Sequence, residues 1–367
     1  MASYQKRGKT WQYTISRMVK GKSDPIRKGG FATKGEAKIE ATEIEANLQK
    51  GITPHLKPEP FDEYFEEWLE LYKKDVGKNT MARYLNTHET IKTYFSGEPI
   101  QNINKRSYQV FLNDYGKKRA KGTTRKLNTH IRACVKDAID EGIIRIDFTR
   151  GAVLTGNVPS KRPEEKHLSY FDSKRLLKAI ENPQQTAHFL ILLGLTSGLR
   201  FAELVGLKRD DFLFKTGELR VNKSWGYTNK MHDGHGPTKN EQSNRTIKMD
   251  KQTMNIFKNY FDRTPDNIHG LVFYSPESKY KVISNGSAND NLKSILKSLK
   301  IEPITIHGLR HTHASILLYK KVTIYYVSER LGHADIETTL QSYAHIVKEL
   351  RKQDEKSTIK IFEVMVM

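Results

Sequence analysis

Cysteine is nearly absent from the chain: Cys134 is the only one in 367 residues. An intrachain disulfide and a cysteine-based zinc site are therefore both excluded, and the composition fits a reducing cytosol. Long apolar runs are missing too. The longest, Phe189 to Leu195, falls far short of the roughly 20 residues that span a bilayer and reads as a buried helix. Met1 to Arg7 carries no apolar segment of the secretory kind. With no lipidation signal and no long basic amphipathic helix, no membrane partner is expected. Internal repeats and low-complexity tracts are likewise absent. Acidic residues are in short supply: 42 Asp and Glu stand against 62 Lys and Arg, giving a formal net charge of +20 and a pI near 9.6. An excess of that size points to a polyanionic partner, expected to be nucleic acid once the membrane is set aside, with a merely soluble basic protein as the plainer reading.

The length suits two or three domains with ordinary cores. Residues 1–57 read as a small basic module, with 12 Lys and Arg against 5 Asp and Glu. Trp11 to Ser16 alternates as a short strand does, Gly21 to Pro25 supplies a turn, and Ile26 to Phe31 returns as a second strand. Thr33 and Glu36 form a capping-box pattern ahead of a helix reaching about Lys50, with Ala37, Ile44 and Leu48 for packing. Pro54, Pro58 and Pro60 then mark a linker.

Residues 58–160 read as helical. Phe61, Tyr64, Phe65, Trp68, Leu69 and Tyr72 recur at helical spacing and are expected in the core. Further helices are expected from Asn79, with Tyr84, Ile91 and Tyr94 inside it, from Lys105 and from Thr123 to Ile139. Before the last lies a basic run. Lys117, Lys118, Arg119, Lys121, Thr123, Arg125 and Lys126 combine cationic side chains with a helix start, a pairing that suits DNA phosphates. A charge run of this kind is also simply a solvated face.

From 161 to 367 the pattern becomes mixed α/β. A helix is expected after Leu168-Ser169, a buried one over 187–195, and another starting at Arg200. Short strands are expected at Phe212 to Phe214, Glu218 to Val221 and Arg245 to Met249, with Lys239 in the turn before the last.

The chemistry-bearing residues lie in this stretch. Arg200 belongs to Gly198-Leu199-Arg200 with Glu203; Lys239 follows Thr238 ahead of Ser243-Asn244-Arg245. His307 and Arg310 share His307-Gly308-Leu309-Arg310, His333 ends Leu331-Gly332-His333, and Tyr343 stands ten residues on. Arginines can hold a phosphodiester bidentately, histidines and lysine can move protons, and a tyrosine can attack.

Together and in this order these segments resemble the tyrosine recombinases, also called the phage integrase family. Gly198-Leu199-Arg200 with Glu203 fits the first arginine box, and Thr238 to Arg245 fits the β-hairpin of the catalytic lysine. His307 to Ala314 fits the second box, and Leu331-Gly332-His333 through Tyr343 the last. Asn240 departs from the threonine or small residue common after the lysine, without displacing the lysine itself.

The resemblance implies three domains. Residues 1–57 would be an α+β arm-type DNA-binding domain with its linker, 58–160 an all-α core-binding domain, and 161–367 a mixed α/β, mainly helical catalytic domain. It implies site-specific recombination through a 3′-phosphotyrosyl intermediate, with Tyr343 as nucleophile and Arg200 and Arg310 on the nonbridging oxygens. His333 would add a hydrogen bond, Lys239 would protonate the leaving 5′-oxygen, and His307 would assist proton transfer. No cofactor is implied. The partners are double-stranded DNA at core and arm-type sites, a homotetramer, an excision factor and a host DNA-bending protein, in the bacterial cytoplasm. The basic N-terminal module favours the integrase of a prophage or integrative element over a chromosomal or plasmid resolvase.

Each residue alone has a plainer reading. Tyr343 shares a helical stripe with Ile336, Leu340, Val347 and Leu350; Arg200 suits a helix cap, and Lys239 a loop. A metal-dependent nuclease using His307, His311, His313, His232, Asp233 and His235 lacks H-E-x-x-H spacing, and His232 and His235 fall in a glycine-rich segment read as a mobile loop. A noncatalytic DNA-binding regulator is the third class.

Overall fold

The computed structural model describes residues 2–19, 22–49, 58–160, 162–341 and 343, with a few isolated positions beyond. The chain divides into two compact units, Met1–Ser160 and Lys161–Met367.

The first unit opens with a sheet. Strands β1 (Ala2–Arg7), β2 (Thr10–Ile15) and β5 (Ile26–Phe31) lie antiparallel in the order β1-β2-β5, and β3 (Met18–Val19) pairs with β4 (Lys22–Ser23) as a small ribbon. The first strand was not expected. Its sequence Ala-Ser-Tyr-Gln-Lys-Arg is mostly polar and half-buries only Ala2 and Tyr4, so it joins the sheet through backbone pairing. Helix α1 (Lys34–Gln49) packs on the sheet through Ala37, Ala41 and Ile44, against Tyr13, Ile15 and Ile26. Thr33 caps it, its hydroxyl accepting from Glu36 N at 3.2 Å, while the Glu36 carboxylate accepts from Ala32 N at 3.0 Å. The return bond of the capping box thus falls one residue early. Most of the expected linker, residues 51–57, lies outside the described residues.

Helices α2 (Phe61–Tyr72), α3 (Lys78–Phe95), α4 (Lys105–Gly116) and α5 (Lys121–Asp140) share a second core. Phe61, Phe65, Trp68 and Ile131 are fully buried there, each contributing about 1.5–3 kcal/mol by leaving water. Tyr72, expected in the core, is exposed instead, while Tyr94 lies within α3 as expected with its hydroxyl at the surface. Their hydroxyls donate to Glu141 and Asp114, which draws the phenol ends to solvent. Asn104 caps α4, accepting from Arg106 N and Ser107 N at 3.0 Å each.

The second unit begins with α6 (Tyr170–Ala179), capped by Ser169 accepting from Asp172 N at 3.1 Å. Helix α7 (Thr186–Ser197) is apolar on every side because α8 (Phe201–Val205), α9 (Lys251–Arg263), α10 (Asn285–Ser298) and α11 (Ile306–Tyr319) all pack on it. Strands β6 (Phe212–Leu213), β7 (Glu218–Val221) and β10 (Arg245–Lys248) form a sheet in the order β10-β7-β6. The excursion between β7 and β10 carries β8 (Ser224–Trp225) and β9 (His235–Gly236). That pairing closes the glycine-rich segment, with Trp225 opposite His235 and Gly226 N donating to Gly234 O at 3.0 Å. Residues 226–234 form the loop between these two strands, closed at its base by the pairing. Helix α12 (Ile324–Leu331) follows α11, and residues 336–341 and 343 are helical.

Candidate active site

Helix termini build the site. Helix α7 ends at Gly198 and α12 at Gly332, both left-handed at φ 72° and 67°. The two turns aim carbonyls at the two arginines. Arg310 Nη1 donates to Gly198 O at 2.9 Å, and Arg200 Nη2 donates to Gly332 O at 2.9 Å. A Cβ at Gly198 would lie 2.7 Å from His313 Cδ2, and one at Gly332 would lie 3.0 Å from Arg245 Nη1. Neither position has room for a side chain.

Arg200 is the N-cap of α8 and half-buried. Its Nη1 donates to Glu203 Oε1 at 2.7 Å and to Ser243 Oγ at 3.1 Å. Glu203 is buried, and its second oxygen accepts from Arg245 Nη2 and from Arg200 N, both at 3.0 Å. Burial pushes its carboxyl pKa up, but Arg245 and Arg200 outweigh that and hold it below the usual range. The glutamate is thus a fixed anion between two arginines. Arg245 continues the chain, Nε donating to Arg330 O and Nη1 to Ser243 O, each at 2.7 Å.

Arg310, on α11, is 3 % exposed. Its Nη2 is buried and has no hydrogen-bond partner. Burial, then the charge of Arg200, pulls the guanidinium pKa down to about 9. An unpaired nitrogen on a buried cation is costly and well matched to an oxyanion.

The imidazoles are held neutral. His333 Nδ1 lies 2.7 Å from Thr339 Oγ1, and burial followed by Arg310 and Arg200 lowers its pKa to about 4. With the threonine hydroxyl donating to Nδ1, His333 Nε2–H is left to donate. His307 is lowered by burial, then Arg310 and Arg200. His311, one turn further along α11, packs edge-on to His307 at 4.9 Å between centroids. His313 is structural: its Nδ1 is 2.8 Å from Leu195 O and its Nε2 accepts from Arg330 Nε at 3.0 Å. Arg330 also donates to Lys248 O at 2.8 Å, tying α7, α11, α12 and β10 together.

Tyr343 is buried against Ala314, Leu318, Val327 and Leu331, and burial raises its phenol to about 12. Leu340 of its expected stripe is instead 42 % exposed, and Val347 and Leu350 lie outside the described residues. The Tyr343 hydroxyl lies 3.0 Å from His311 Nδ1. Lys239 is exposed, in the segment between β9 and the 3-10 turn Glu241–Ser243 rather than in a strand. That segment is anchored by Thr238 Oγ1 donating to Asn240 O at 2.8 Å, and by Ser243 Oγ, which takes the Arg200 bond and donates to Asn240 Oδ1. Arg310 and Arg200 lie close enough to each other, to His307 and to His333 for their charges to act on one another, and Arg310 likewise on Tyr343, while Lys239 is exposed in its loop. Among the described residues no group of three or more His, Cys, Asp and Glu converges to hold a metal.

Sequence reasoning left several contributors unassigned: Ser243, Arg245 and Arg330 as supports, Thr339 on His333, and His311 on the tyrosine. The i,i+4 spacing of His307 and His311 was the one available signal, and it suggested a metal face instead. The basic run lies in the first unit at the α4–α5 junction. Lys117 pairs with Asp114 at 2.8 Å and Arg119 covers the Tyr115 ring at 3.9 Å. Lys118, Lys121, Thr123, Arg125 and Lys126 are exposed. Helix α5 starts at Lys121, two residues before the expected Thr123, because Ala120 O accepts from Thr123 N and Thr124 N.

A family model described as the phage integrase family matches residues 166–349. The phage integrase N-terminal SAM-like domain matches 60–115, and an arm DNA-binding domain matches 2–48. The chain belongs to the phage integrase family, the tyrosine recombinases. It is 25 % identical to a tyrosine recombinase XerC-like protein of Caldanaerobacter subterraneus subsp. tengcongensis, over 94 % of this chain and 95 % of that one. The integrase of Staphylococcus phage L54a is 23 % identical over 87 % of this chain and 98 % of its own. The fold is shared with the Tn1549 transposon integrase in complex with a circular intermediate DNA, at TM-score 0.66 and 18 % identity, covering 80 % of this chain and 98 % of that one. It is also shared with a lambda integrase tetramer bound to a Holliday junction, at TM-score 0.55 and 17 % identity, covering 88 % and 89 %.

Proposed function

We propose that this protein is the site-specific recombinase of a prophage or integrative mobile element, cutting and rejoining DNA through Tyr343. The observation that carries the reading is the buried Arg310 guanidinium with an unpaired Nη2, set beside Arg200, His333 and a buried tyrosine. Arg310 and Arg200 neutralise the nonbridging oxygens of the scissile phosphate, and His333 donates a third hydrogen bond. The Tyr343 oxygen attacks phosphorus, the bond to the 5′-oxygen breaks, and Lys239 protonates that oxygen. The product is a 3′-phosphotyrosyl linkage and a free 5′-hydroxyl, which reverses when another 5′-hydroxyl attacks. Bond energy is kept in the phosphotyrosine, so strand exchange consumes no nucleotide.

On the same reading residues 1–57 bind arm-type sites, and 58–160 bind the core site through Lys117, Lys118, Arg119, Lys121, Thr123, Arg125 and Lys126. Four copies assemble on two DNA sites in the bacterial cytoplasm, with an excision factor and a DNA-bending protein as accessory partners. The separate basic N-terminal module, which matches an arm DNA-binding domain, favours an integrase over a resolvase.

The test is covalent capture. On a nicked suicide substrate the protein in EDTA should form a protein–DNA adduct mapping to Tyr343. Tyr343→Phe should form none while binding DNA within a few-fold. An adduct on the phenylalanine variant refutes the nucleophile, and an absolute requirement for Mg²⁺ revives the nuclease.

A further inference from the structure

The nucleophile has a partner that the reading above leaves without a role. Tyr343 Oη sits 3.0 Å from His311 Nδ1, with the two rings 5.8 Å apart between centroids. The phenol is 2 % exposed and wedged between Ala314, Leu318, Val327 and Leu331, so water has little access to its proton. His307, to which the family resemblance assigns proton assistance, contacts the His311 ring instead. We infer that His311, rather than His307, orients the Tyr343 oxygen and takes its proton during attack. The inference rests on Tyr343 being the nucleophile.

The step balances within the site. The Oη–H bond breaks and its proton passes to His311 Nδ1 as the Oη–P bond forms. The P–O5′ bond breaks, and the departing oxygen takes its proton from Lys239. On rejoining, the attacking 5′-hydroxyl gives its proton back to Lys239, His311 returns the proton to Oη, and no net proton is consumed. To accept at Nδ1 the ring carries its own hydrogen on Nε2.

The surroundings keep His311 ready as a base. Burial, followed by His307, Arg310, His167 and Lys166, holds its pKa at about 4, so the imidazole enters the reaction neutral. The charges of Arg310 and Lys166 are offset when a phosphodiester brings its negative charge among them. Proton affinity at Nδ1 therefore rises when substrate is bound and a base is needed. Tyr343, held at about 12 by burial, does not ionise unaided at neutral pH.

The experiment compares full-length parent, Tyr343→Phe, His311→Ala and His311→Asn on the suicide substrate, reading single-turnover adduct formation and DNA affinity by gel shift. His311→Ala should slow adduct formation by about 10²–10⁴-fold with affinity kept within a few-fold. His311→Asn retains a hydrogen-bonding group near Oη but no useful base, and should stay slow. Exogenous imidazole should restore part of the rate to His311→Ala, more so for more basic substituted imidazoles, and none to Tyr343→Phe. A parental rate in His311→Ala, or full recovery in His311→Asn, overturns proton transfer to His311. An adduct on Tyr343→Phe sinks the nucleophile assignment and this inference with it. Adduct-free Tyr343→Phe beside fast His311 variants sinks this inference alone.

Discussion

Arg310 should be a residue the protein is more stable without when no DNA is present. Its guanidinium is 3 % exposed, donates to Gly198 O at 2.9 Å and leaves Nη2 unpaired. The fall of its pKa from 12.5 to about 9 corresponds to roughly 5 kcal/mol of penalty on the charged form. At pH 7.5 the group is still protonated, so that penalty is present in the folded state. Arg310→Met keeps most of the volume and removes the charge, at the loss of one hydrogen bond of about 1 kcal/mol. A net gain of about 1–3 kcal/mol is expected after allowing for imperfect repacking, a rise of about 2–10 °C in the melting of a unit this size. The pH dependence has a definite sign. A cationic group with a depressed folded pKa binds fewer protons folded than unfolded, so the parent gains stability as pH rises through 9. Thermal melts followed by circular dichroism at pH 7.5, 9 and 10 without DNA should show the methionine variant ahead at 7.5 and the gap narrower by about 1.4 kcal/mol at pH 10. The same variant should form adduct at least 10²-fold more slowly. A variant that melts below the parent at pH 7.5, or a gap indifferent to pH, refutes the idea that Arg310 is stored as an unsatisfied anion site.

Gly332→Ala places a Cβ at φ 67° and 3.0 Å from both Arg245 Nη1 and Ser243 Cα, so destabilisation of about 1–3 kcal/mol is expected. Adduct formation should fall with it because the Gly332 carbonyl holds Arg200, and denaturation and cleavage both at parental levels would contradict this. For Lys239→Ala, a 5′-phosphorothiolate substrate, whose leaving sulfur needs no proton, should restore most of the cleavage rate. Failure of that rescue leaves Lys239 as a DNA contact only. Removing residues 1–57, with 12 Lys and Arg against 5 Asp and Glu, should spare cleavage of an isolated core site but impair recombination between full attachment sites. Footprints should lose flanking protection only, and binding by the excised module should fall with salt at a slope of about −0.9 per phosphate contacted. Normal integration by the truncated protein at low concentration argues for a nonspecific basic appendage.

Much of the architecture could be read from the chain because strong local signals agreed with the tertiary structure. The Phe61–Tyr72 periodicity, the Thr33 and Ser169 caps and the apolar run inside α7 each specify their element locally. Where local signal was weak, expectation failed. Strand β1 has too few apolar residues to show an alternation, and its place is set by pairing with β2 across the whole of Ala2–Arg7. Tyr72 fits a helical stripe, yet it sits where its hydroxyl meets the Glu141 carboxylate, and periodicity does not encode that partner. The β8–β9 pairing was hidden because two-residue strands leave no periodic trace.

The motifs of the candidate site were legible as motifs, while the reason they occur together lies only in three dimensions. The glycine of the first arginine box, Gly198, receives Arg310 of the second box; Gly332 of the last box receives Arg200 of the first. Ser243, from the lysine segment, accepts from Arg200 through its hydroxyl and from Arg245 through its carbonyl. Glu203 then joins Arg200 to Arg245, whose Nε donates to the carbonyl of Arg330 just before Leu331-Gly332-His333. Each segment therefore supplies the backbone or carboxylate that fixes another segment's cation. A helix cap needs no arginine partner from across the chain, and a core tyrosine needs no imidazole at 3.0 Å. The plainer readings of Arg200 and Tyr343 explain either residue alone, but they do not explain a buried arginine whose remaining nitrogen is left for something the protein itself does not provide.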